Sequence, residues 1–153
     1  LLYSKPKRVI KMKNLLYLLL FIPIMSFSQI DMMEVKHTLS SIKSSEKLRF
    51  YTEDKAIKLQ PPLKFSTFEK SDIVLFPSND INDTRMDKMM IVGSYQELKL
   101  NKKNIGAIYL KKGRTHIVFI EERLKENDLS LPKKFDKYII NECMLNPICL
   151  LKL

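Results

Sequence analysis

A thirteen-residue apolar run close to the start, residues 15–27, constrains this chain more than any other feature. Lys11 and Lys13 precede it, eight apolar or aromatic residues from Leu15 to Ile22 form its centre, and Pro23 interrupts it. Ser26 and Ser28 then place small side chains at the −3 and −1 positions before Gln29. This is the layout of a cleavable export signal, with cleavage between Ser28 and Gln29. A helix needs about 20 apolar residues to cross a bilayer, so the run is short for an anchor. The alternative is a membrane-tethered protein that retains residues 15–27. No cysteine stands near the cleavage point, which argues against a lipid-modified N-terminus. Residues 1–11 carry Lys5-Pro6-Lys7-Arg8 and precede Met12, and the expected start is Met12, with Leu1 as the alternative. Residues 1–28 are therefore set aside as an upstream extension and export signal, and residues 29–153 as a single small globular domain.

An exported domain works in the periplasm or outside the cell, away from ATP, NAD and chromosomal DNA. The leading 28 residues hold five basic residues and no acid, so their removal lowers the formal charge from +10 to +5. A moderate positive balance attracts anionic surfaces. The remaining basic residues are spread among acids and fit no nucleic-acid module, which disfavours a nucleic-acid partner. The 125 residues that remain suffice for one core. Three glycines in the whole chain, Gly93, Gly106 and Gly113, favour mixed α and β structure over a turn-rich β protein.

Asp31 followed by Glu34 has the spacing of a helix cap with a reciprocal acid. Met32, Val35, Leu39 and Ile42 then fall on one side of a helix, which is expected to run to about Lys47. Residues 48–52 alternate as a strand with one buried face. Residues 56–60 form a second short strand candidate, stopped by Pro61-Pro62. The apolar runs 73–76 and 89–92 predict more deeply buried strands. Ser94 and Glu97 form a second capping pair and open a short helix through Leu100, although the same residues also alternate acceptably as a strand. Residues 101–104 are a solvated connector. Two β-rich runs, 105–110 and 115–120, flank Lys111-Lys112-Gly113-Arg114 and predict a hairpin with Gly113 at a positive φ. Residues 121–125 have helical composition with acids in the first turn. Pro132 opens a further helix carrying Phe135, Tyr138 and Ile139, with Glu142-Cys143 near its end. The expected fold is α+β: an N-terminal amphipathic helix, an antiparallel sheet containing the hairpin near 105–120, and two C-terminal helices.

No local catalytic or cofactor motif is present. His37 and His116 lack the spacing that begins a zinc site, so no metal is expected. The loop 79–84 is rich in Asx oxygens but has neither the glycine nor the closing glutamate of a calcium loop, and it is expected to be ordinary turn chemistry. Glu121 and Glu122 diverge by about 100° on a helix and do not form a catalytic pair. Cys143 and Cys149 have the even count of an oxidising compartment, and Asn146-Pro147 between them can turn the chain back to close a disulfide. Lys111, Lys112 and Arg114 make the hairpin tip basic, a candidate contact for an anionic partner.

The expected function is binding, to another envelope protein or to an anionic surface, without a cofactor. The competing class is a small exported hydrolase with dispersed carboxylates or a Cys–His site joining Cys143 or Cys149 to His37 or His116.

Overall fold

The computed structural model describes residues 29–54, 57, 61–78 and 87–146. Helix α1 (Met32–Ser40) begins on Asp31, whose side chain accepts from the backbone N–H groups of Met33 and Glu34 at 3.0 and 3.1 Å. Glu34 does not reach back to complete a reciprocal cap; its carboxylate accepts instead from the Tyr138 hydroxyl. The helix stops at Ser40, short of the expected Lys47. Ser40 and Ser41 turn their hydroxyls onto the His37 carbonyl, a local competition with helix hydrogen bonding. The backbone of Lys43 is then claimed by Ser130 in a two-way bridge. Ile42 remains in the core although it lies past the helix end.

Among the described residues seven strands follow in one sheet: β1 (Arg49–Thr52), β2 (Lys64–Phe65), β3 (Ile73–Leu75), β4 (Met89–Val92), β5 (Asn104–Lys111), β6 (Arg114–Ile120) and β7 (Ile139–Ile140). Their order is β2-β1-β3-β4-β5-β6-β7. Every neighbouring pair is parallel except β5–β6. The fold is thus mixed α and β, but the expected antiparallel sheet is confined to the hairpin. The physical reason lies in burial. Strands covered on both faces read as continuous apolar runs, and Ile73-Val74-Leu75 is buried at all three positions. Helix α2 (Tyr95–Leu100) stands between β4 and β5 and makes the crossover that a parallel pair requires.

Alternation sorts the strands into two layers. Ile73, Leu75, Ile91, Ile108, Ile117 and Phe119 join Val35 and Leu39 of α1 in one cluster. Val74, Met90, Val92, Ala107 and Ile120 join Leu98 of α2 and Leu145 in the other. Gly106 faces Phe119 across the β5–β6 ladder. A Cβ at position 106 would stand 2.6 Å from the Phe119 ring and 2.8 Å from the Val118 carbonyl, so only glycine fits there.

The chain end departs from two closing helices. Helix α3 (Glu121–Glu126) forms where expected. The second helix is replaced by a 3-10 helix (Lys133–Tyr138), strand β7 and another 3-10 helix (Glu142–Leu145). Ile139 and Ile140 are drawn into parallel pairing with Phe119 and Ile120, which interrupts the segment with extended backbone between the two 3-10 helices. Strand β2 was not foreseen. The expected strand 56–60 lies outside the described residues except Ile57, which is not in a strand. The Asx-rich loop 79–84 and the apolar run 15–27 also lie outside them. Among the described residues no helix is long and apolar enough to cross a membrane.

Asn104 belongs to β5 and is buried rather than solvated as expected, because its amide donates to the Glu97 carbonyl at 2.7 Å. The Asn104 backbone carbonyl accepts from Arg123, a residue in α3 that is 2% exposed. One Arg123 nitrogen, Nη1, meets the carbonyls of Leu98, Asn101 and Asn104 at 2.8, 2.9 and 2.6 Å. Nε and Nη2 form a fork on Glu142 at 2.8 and 2.7 Å. The guanidinium thereby ties the end of α2, the start of β5 and the C-terminal 3-10 helix to α3.

Candidate functional site

The hairpin extends one residue further on each side than its β-rich runs, because Lys111 and Arg114 pair across the ladder. This leaves a two-residue turn of Lys112 and Gly113 at φ 49° and 78°. Positive φ at both central positions is the requirement of the turn whose twist matches two antiparallel strands. Gly113 meets it without strain, and Lys112 adopts it as a lysine.

The register places Tyr109 opposite His116 and Lys111 opposite Arg114. Residues two apart on a strand share a face, so all four point to one side of the sheet. Tyr109 and His116 stack with ring centroids 5.5 Å apart and planes 15° from parallel. Lys111, Lys112, Arg114 and His116 line an open depression of about 380 Å³. Among the described residues none of Lys111, Lys112 and Arg114 forms an ion pair with a carboxylate. Burial, with a smaller contribution from nearby Tyr95, pushes the Tyr109 phenol above its ordinary range and keeps it neutral. The Thr115 hydroxyl accepts from the Asp31 N–H at 2.6 Å and fastens the hairpin to the start of α1.

The arrangement suits recognition of negative charge. An arginine fork can grip a carboxylate or phosphate with two N–H groups, while lysines supply mobile point charges. A stacked tyrosine and imidazole offer a flat surface beside them. The three predicted basic residues therefore stand together, and the structure adds His116 and Tyr109. Their contribution was legible in part: period-two alternation through the hairpin puts 109, 111, 114 and 116 on one face once a two-residue turn is assumed.

The other candidates fare differently. His37 lies on α1 against Lys134 and Phe135, and His116 against Tyr109. Neither meets Cys143 among the described residues. Cys143 sits half-buried in the last 3-10 helix, while Cys149 and Ser28 lie outside the described residues and Gln29 is exposed. Glu121 pairs with Lys125 at 2.6 Å and Glu122 accepts from the Glu142 N–H at 2.8 Å, so the two acids are engaged separately. No group of three or more His, Cys, Asp or Glu side chains among the described residues is placed to hold a metal ion.

Sequence patterns gave no sign of a second cluster, between α1 and the 3-10 helix Lys133–Tyr138. Met33, Glu34, His37, Lys134, Phe135 and Tyr138 contribute to a groove of about 500 Å³ there. Its members are about a hundred positions apart in the chain, and no local motif links them. No protein-family model and no curated protein sequence matches the chain.

Proposed function

We propose that this is an exported domain that acts by binding, with the basic face of its hairpin docking on an anionic partner or surface at the cell envelope. The observation that carries this reading is the concentration of Lys111, Lys112 and Arg114 on a two-stranded projection, without carboxylate partners among the described residues and beside the Tyr109–His116 stack. Charge of one sign on a projecting element attracts counter-charge over about 8–10 Å at ordinary ionic strength.

The test is cosedimentation with vesicles containing phosphatidylglycerol, set against vesicles of phosphatidylcholine alone. Binding to the anionic vesicles is expected to fall as salt rises. Replacing Lys111, Lys112 and Arg114 together with Ser should remove most of it while leaving the thermal midpoint nearly unchanged, because all three side chains are exposed. Undiminished binding by the triple variant would eliminate the hairpin as the contact.

Export and the Cys143–Cys149 bridge belong to the same proposal and are checked together by a non-reducing intact mass from fractionated native cells. The expected species is soluble, begins at Gln29 and is lighter by the two hydrogens of one disulfide. A membrane-bound species retaining residues 15–27 would favour the tethered alternative.

A further inference from the structure

The groove between α1 and the 3-10 helix Lys133–Tyr138 has an unequal charge arrangement. Glu34 is occupied: its carboxylate accepts from the Tyr138 hydroxyl and lies 3.8 Å from the Lys137 ammonium. Lys134 has no carboxylate partner among the described residues. Its ammonium meets Nε2 of His37 at 3.3 Å and lies over the Phe135 ring, 4.9 Å from the centroid. Phe135 is itself buried and meets the His37 ring edge-on at 5.2 Å. The ammonium is thus held in place by an imidazole and an aromatic face. An ammonium carries three N–H donors, and the one directed at His37 leaves donor capacity toward the groove.

The remaining lining is largely apolar. Met33 stands at the lip and is 83% exposed, an unusual position for a long apolar side chain on the first turn of a helix. A flexible thioether adapts to irregular apolar shapes. A single uncompensated cation beside an apolar bed is complementary to one negative charge on an apolar body.

We propose that this groove binds a small organic monocarboxylate, with the carboxylate on Lys134 and the hydrocarbon portion against Met33 and the exposed edge of the aromatic cluster. A monoanion is preferred over a phosphate dianion because Lys137 is already shared with Glu34, which leaves one free positive charge. The site is separate from the hairpin and does not depend on the envelope-binding proposal.

The experiment is a titration of the full chain, labelled at its methionine methyl groups, with hexanoate and in parallel with hexanol. Hexanoate is expected to shift the Met33 methyl signal and the His37 ring protons saturably, with a Kd of about 1 mM for a ligand of this size. Lys134→Gln should weaken that binding about tenfold or more, and hexanol should give no saturable shift. The Lys111, Lys112 and Arg114 serine variant should bind hexanoate as the parent does, which separates this site from the hairpin. Equal binding of hexanol, equal binding by Lys134→Gln, loss of binding in the hairpin variant, or no saturation at tens of millimolar would each overturn the assignment.

Discussion

Replacing Phe119 with alanine is expected to destabilise the domain by about 3–5 kcal/mol. The Phe119 ring is 0% exposed and belongs to the cluster that joins the sheet to α1. Its strand lies between β5 and β7, so neighbours on both sides limit how far the sheet can close over the vacancy. The loss combines the transfer free energy of the ring with that of the residual cavity. Thermal or urea denaturation measures it, and the midpoint should fall by roughly 10–20 °C. Phe65 supplies the internal control, since it lies on the edge strand β2 and is substantially exposed, and its alanine variant should change stability far less. A Phe119→Ala loss below about 1 kcal/mol would mean that the hairpin faces have been assigned backwards.

Arg123→Ala is expected to cost a comparable amount, about 3–5 kcal/mol, by a different mechanism. Three backbone carbonyls lose their donor at once, and those of Leu98 and Asn104 are deep enough that water does not readily replace it. Arg123→Lys should recover little, because an ammonium cannot serve three carbonyls and also form a fork on Glu142. A second readout separates this network from simple packing. The guanidinium, mainly through its hydrogen bonds to Glu142, holds that carboxyl below its ordinary value of 4.5. A carboxylate with a depressed folded-state pKa stabilises the fold above its ordinary value, and the contribution is lost as pH falls through the depressed one. The parent should therefore lose stability on acidification below about pH 4.5, and Arg123→Ala should lose less over the same interval. Some acid sensitivity should persist in the variant, because Arg49 likewise depresses Asp72 by direct hydrogen bonding. An unaltered acid profile in Arg123→Ala would remove the Arg123–Glu142 fork from the account of stability.

Much of the local structure was legible. Asp31 and Ser94 cap their helices through the contacts that their residue types predict. In α2 the reciprocal bond is displaced by one residue, because the Glu97 carboxylate accepts from the Gly93 N–H. Residues 73–75 of the run 73–76 and all of 89–92 form strands, Phe76 leaving the first at φ 49°, and the hairpin forms around Gly113. The direction of the strands was not legible. A short apolar run buried on both faces looks the same whether its neighbour runs parallel or antiparallel. Nor was the C-terminal region legible, since Phe135, Tyr138 and Ile139 keep a helical spacing while Ile139 and Ile140 are captured by the free edge of β6.

The two candidate sites divide along the same line. The hairpin cations are neighbours in the chain, alternation alone brings Lys111 and Arg114 to one face with Lys112 in the turn between them, and so their charge was visible before the fold was known. The carboxylate groove joins α1 to residues about a hundred positions later, and the Arg123 network joins α2, β5 and the last 3-10 helix. Neither has a local pattern. By itself the amino-acid order determined the helix starts at Asp31 and Ser94, the buried runs of β3 and β4 and the hairpin turn at Gly113, because capping, periodicity and turn geometry act over a few residues. Only the tertiary structure decided the parallel sheet, the need for glycine at 106 and the partners of Arg123, Glu34 and Lys134. These follow from which surfaces are covered, and burial depends on contacts between residues far apart in the chain.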